Sequence, residues 1–220
     1  VLMIDFINSS LSFQLFAILG SLIALVGSLI TAIGYRGRDG ETYSVLNHYI
    51  SELGELGVSK SAWIFNLSMI LAGLCLIVAC ISLGLILPGI LSKIGLVFGC
   101  IYSIFLCLVG FIPMNKEEAH VFVAMNHFRS GLVMVALFSI AIAIQHESMP
   151  PISPWFALAG VPAILSFAIF LIIAPRLTDE NDPLSNEDID RPKVWPLVIV
   201  EWLIFLTIVM WFVLIAWGLQ

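Results

Sequence analysis

Charge is what this chain is short of. Of its 220 residues nine are Lys or Arg and 15 are Asp or Glu, 11% in all, against about a quarter in an ordinary soluble domain. So few charges cannot clothe a water-exposed surface, and a soluble globular protein is excluded. Metal and thiol signatures are missing too: Cys75, Cys80, Cys100 and Cys107 all fall inside apolar runs without ligand spacing, so they read as packing residues. There is no HExxH, no CxxC, no phosphate-cradling glycine loop and no Ser–His–Asp order. Neither a metal nor a cofactor is therefore expected. Basic runs are absent and the net charge is −6, which argues against nucleic acid. Sustained polar/apolar alternation is absent as well, and with it the pattern of a membrane β-barrel.

What is there in abundance is hydrophobicity, 60% of residues with a mean hydropathy of +1.08. Crossing the hydrocarbon takes roughly 20 mostly apolar residues per helix, because each backbone N–H and C=O must be satisfied internally. Six runs meet that length: Leu11–Gly34, Ala62–Leu87, Ile90–Ile112, Val121–Gln145, Pro154–Ala174 and Val194–Gly218. The predicted fold is all-α, a polytopic bundle of six transmembrane helices filling residues 1–220 as one domain, multi-pass in the cell membrane. The first run is too long for a signal-peptide core and lacks a basic start, so it reads as a retained helix.

Loop charges fall unevenly. Arg36, Arg38, Lys60, Lys116, Arg176, Arg191 and Lys193 lie in the first, third and fifth loops, Lys93 alone on the other side; positive-inside reasoning places the richer side in the cytoplasm. Trp63 and Trp195 open the second and sixth spans on that side, and Trp155 and Trp217 mark the opposite interface. Small residues form stripes where helices can approach closely: Gly95, Gly99, Ser103, Cys107 and Gly110 on the third span, and Ala17, Gly20, Ala24, Gly27, Thr31 and Gly34 on the first. Pro162 inside the fifth run is expected to kink it.

The polar residues that remain are concentrated near one side of the membrane. In the first loop Val45, Leu46, Tyr49, Ile50, Leu53 and Leu56 recur at helical spacing, predicting a short amphipathic surface helix over 42–56 with Asn47, His48, Ser51, Glu52 and Glu55 on its other face. The apolar part of the fourth span is too short to cross alone, so Asn126, His127 and Arg129 must enter with it. Arg129 then lies about 12 Å from Val121 by the 1.5 Å rise per residue, where facing lipid costs about 2.5–3.5 kcal/mol. A partner for it is predicted in Glu201, six residues past Trp195 on the sixth span. Asn66, Asn115 and His120, the last sharing a helix face with His127, belong to the same leaflet. Together these residues predict an intramembrane polar pocket under the surface helix.

The stretch YSVLNHYISELGELGVSKSAWIFNLSMILAG, with GFIPMNKEEAH and NHFRSG further on, resembles a family of archaeal and bacterial six-helix membrane proteins, domain of unknown function 998, itself distantly similar to the Frag/DRAM/Sfk membrane proteins. The resemblance implies a six-helix fold and makes Ser51, Glu52, Gly54, Phe65, Asn66, Pro113 and His120 signature positions. It implies a first loop outside the cytoplasm, against the charge count, and points toward lipid organisation or sensing. Three functions remain open: binding of a lipid headgroup or a membrane partner, including a second copy; a lipid-modifying enzyme or hydrolase with a histidine as base and a glutamate orienting it; and a proton-coupled transporter. The stretch DENDPLSNEDID at 179–190 imitates a calcium loop, but Leu184 stands where the loop needs glycine, so it reads as an acidic linker.

Overall fold

A computed structural model describes residues 2–145, 149–177 and 191–219; the acidic linker lies outside them. The helices are α1 (Leu2–Ile7), α2 (Ser10–Gly34), α3 (Ala62–Ile86), α4 (Gly89–Phe111), α5 (Glu117–Ala143), α6 (Gly160–Leu177) and α7 (Pro196–Gly218). Six are long and apolar enough to cross a membrane, the fifth crossing being α6 together with the 3₁₀ helix Pro154–Ala159 ahead of it. Local chemistry explains the ends. Ser9 caps α2 by accepting the Ser12 N–H, and Pro196 opens α7, where a missing N–H has no partner to lose. The α3–α4 turn needs Gly89 at φ +82°. There Lys93 reaches back to the Gly84 carbonyl at 2.6 Å, satisfying a helix end that would otherwise lack a partner.

Both small-residue stripes face inward. A side chain at Gly99 would meet Cys80, one at Gly110 the Asn66 carbonyl, and one at Gly27 Ser68. Hydrogen in place of a side chain thus lets α2, α3 and α4 press together where lipid offers no hydrophobic drive for association.

Two expectations are corrected. Pro162 does not kink a helix interior; it falls in the first turn of α6, whose N–H groups have no acceptor within the α-helix. The segment ahead of it is 3₁₀, closed by the Gly160 N–H on the Ala157 carbonyl. The helix of the first loop is present but is only the 3₁₀ turn Ile50–Gly54, and both of its faces are largely covered, with Tyr49 and Leu53 buried. Val45, Leu46 and Leu56 are exposed, whereas His48, Glu52 and Glu55 are buried. Periodicity grouped the polar residues correctly but took them for a water-facing side, whereas they are enclosed by contacts with α2, α3 and α7.

Candidate functional site

The first loop is fastened over one end of the bundle by ionic and amide contacts. Glu52, 2% exposed, accepts the Tyr49 N–H at 2.8 Å and holds Arg191 in a two-pronged pair, both bonds 2.9 Å. Burial works against the charged guanidinium, but the bonds and charge of Glu52 outweigh it and raise the Arg191 pKa. The same Arg191 donates to the Asn47 carbonyl at 2.7 Å, and the Trp195 N–H to the Leu46 carbonyl at 2.8 Å. The entry to α7 is thereby tied to the loop. Arg38 meets Glu55 at 2.6 Å. His48 lies in a nest of Tyr35 and Tyr43 with Glu41 3.7 Å away. From below, Asn66 donates to the Gly54 carbonyl at 3.0 Å, a contact so close that a side chain at residue 54 would strike Asn66 and Phe65. Asn115 both accepts from and donates to the Leu56 backbone, at 2.7 and 2.8 Å.

Beneath this roof the bundle is hollow. A cavity of about 80 Å³ runs along its axis between α2, α3, α4, α5 and α7. A second chamber of about 110 Å³ shares Ser51, His120, Ala124, Phe128 and Glu201 with it, and reaches the outside of the bundle at Glu117 and Val121, with Phe170 and Ala174 of α6 along its wall. A buried water needs roughly 10–15 Å³ by this measure, so either chamber exceeds a packing defect. Most of the lining is apolar, including Leu76, Leu106, Ile204, Ile208 and Phe212. The polar groups cluster toward the roof. Glu201 accepts the Ile50 N–H at 2.9 Å. His120 Nδ1 bonds the Ile112 carbonyl at 2.6 Å and His127 Nδ1 the Tyr102 carbonyl at 3.0 Å. Because a carbonyl only accepts, each Nδ1 carries the proton. Buried Ser21 Oγ and His120 Nε2 have no partner.

The eleven candidates from the sequence thus separate into three groups. Ser51, His120, His127 and Glu201 line the cavity. His48, Glu52, Glu55, Asn66 and Asn115 build or brace the roof. Asn126 and Arg129 take part in neither. Asn126 bonds back to the Phe122 carbonyl within its own helix, and Arg129 is exposed on the outer face of α5. The predicted Arg129–Glu201 pair is therefore wrong: spacing along the chain gave the depth of Arg129 but not its rotation. At about 100° per residue, Arg129 stands some 200° round the helix from His127, which faces the cavity. The cation that matters, Arg191, was counted in the sequence only as loop charge. Its place just before Pro192 and Trp195, at the mouth of a span, was the available clue. Ser21, beside Gly20 on the α2 stripe, was passed over because serine serves packing as readily as polarity.

Six crossings, a braced loop and an axial cavity define an integral, multi-pass α-helical membrane protein. The chain belongs to the family described as Protein of unknown function (DUF998), whose model matches residues 18–218. No curated protein and no solved structure matches it significantly.

Proposed function

We propose that this protein binds a membrane lipid inside its helical bundle, admitting it from the bilayer through the side chamber between α5, α6 and α7. The observation that carries this is the pair of adjoining chambers with five lining residues in common, apolar below and polar at the roof, which matches an amphiphile in polarity. Its length matches too. The α7 wall from Glu201 to Phe212 extends about 16 Å at 1.5 Å per residue, roughly half of the 30 Å hydrocarbon and hence one leaflet's depth of acyl chain. The roof closes the polar end, and the Arg191–Glu52 pair fixes the roof to the helix that carries Glu201. Bound lipid would rank above a partner protein or a second copy because a slot this narrow admits a chain, not a helix of about 10 Å diameter.

The test is Ala124→Trp. Ala124 lines both chambers, and an indole there fills the passage. Native mass spectrometry of protein extracted in mild detergent should show wild type carrying a lipid adduct that the variant lacks, at matched thermal stability. Wild type stripped to its bare mass under conditions that preserve the fold would defeat the proposal.

A further inference from the structure

The chemistry at the polar end of the cavity selects among lipids, and this inference rests on the binding function proposed above. Among the described residues, no lysine or arginine lines either chamber. The nearest strong cation below the roof, Arg129, is turned outward, and Arg191 is consumed by Glu52 and the Asn47 carbonyl. An anionic headgroup would find no countercharge in the cavity, so a phosphate or a carboxylate is disfavoured.

What the cavity does offer is acceptors. The Nδ1–H of His120 is spent on the Ile112 carbonyl and that of His127 on the Tyr102 carbonyl. In the neutral ring so held, Nε2 is a bare lone pair. His120 is 4% exposed, its Nε2 has no partner, and the residue lines both chambers. Ser51 contributes its hydroxyl oxygen as a further acceptor, its proton directed to the Met114 sulfur at 3.7 Å. A buried acceptor left empty costs about 1–3 kcal/mol, so the occupant should bring the donor.

We propose that the cavity is a site for an uncharged lipid alcohol, a chain-bearing molecule whose hydroxyl donates to His120 Nε2 while its chain follows the α7 wall toward Phe212. A free hydroxyl is the smallest headgroup that supplies a donor without a charge. A site that discriminates by hydrogen bonding rejects the analogue lacking the donor strongly, because its own polar groups are then left unpaired.

The test uses purified, lipid-depleted full-length protein and three probes sharing one oleoyl chain: monooleoylglycerol, oleate and oleoyl lysophosphatidate. Retention is read by native mass spectrometry at neutral pH. Monooleoylglycerol should be retained about tenfold or more over either anion, the factor that one satisfied buried acceptor supplies. His120→Phe should abolish that preference, and His120→Gln, whose amide keeps a donor for Ile112 and an acceptor for the ligand, should restore part of it; the Gln variant also carries the test if the Phe variant does not fold. Equal or better retention of oleate or lysophosphatidate overturns the headgroup assignment while leaving lipid binding intact. A preference unchanged in a folded His120→Phe protein overturns it too. Retention of none of the three, with endogenous lipid also absent from the wild type, removes both proposals together.

Discussion

The roof and the cavity use the same residue types in opposite ways. In the roof each buried carboxylate has a cation against it: Glu52 holds Arg191, and Glu55 holds Arg38. In the cavity Glu201 has only a backbone N–H; His120 Nε2 has no partner there, as His48 Nε2 has none in the roof. Polar groups that exist to hold a fold together are paired, because an unpaired one costs several times what the pair gains. Groups left open beside a void are the pattern of a site awaiting a ligand. On the function proposed above, one polar layer in the sequence is two structures, a clasp and a receptor.

The sharpest way to break the comparison is at the clasp. Arg191→Ala strands Glu52 without its cation, and the loss should be about 3–5 kcal/mol, read as a lowered midpoint in denaturant titration in detergent. Replacing both, as Glu52→Met with Arg191→Met, should recover much of it. Double and single variants of equal stability would show that the pair does not fasten the roof. Next in size, Gly110→Val forces a side chain onto the Asn66 carbonyl and should cost about 1–3 kcal/mol through overpacking, with the Asn66–Gly54 brace loosened as shown by faster hydrogen exchange in residues 50–56.

A smaller effect is expected in alkali. Burial raises the pKa of both Tyr35 and Tyr43 above the ordinary 10.0, with the charge of Glu52 adding at Tyr35 and that of Glu201 at Tyr43. The folded phenols stay neutral where unfolded ones ionise. Their contribution is therefore complete below pH 10 and declines as the pH rises beyond it. Stability should fall more steeply above pH 10 in the wild type than in Tyr35→Phe/Tyr43→Phe; parallel slopes would place these rings outside the roof's core. Least of all should Arg129→Leu matter. An outward Arg129 predicts a stability change within about 0.5 kcal/mol, whereas a loss on the scale of Arg191→Ala would reinstate an ionic partner for it inside the bundle.

The fold was legible because length and composition decide it: the six runs read from hydropathy lie within a few residues of the observed helices, and the glycine stripes face where close approach predicts. The site was legible in part. His120 and His127 were linked through their seven-residue spacing, and Glu201 and Ser51 were picked out as polar groups in an apolar setting; all four meet at the cavity. What escaped had a common cause. The Glu52–Arg191 pair joins residues 139 apart in sequence, and nothing local in either segment names the other. The direction of Arg129 depends on rotation, which an isolated charge does not reveal until its neighbours on the helix are assigned to a face. The burial of the first loop's polar residues escaped because it depends on partners distant in sequence, Arg191 against Glu52 and the Ile50 N–H against Glu201.

The most direct trial of the two-structure view is a structure of the protein extracted in native lipid. We expect elongated density from His120 and Glu201 along α7 toward Phe212, beneath a roof whose Arg191–Glu52 clasp is closed. A bundle whose helices have collapsed onto one another there, with His120 Nε2 bonded to protein and no room left for a chain, would contradict it.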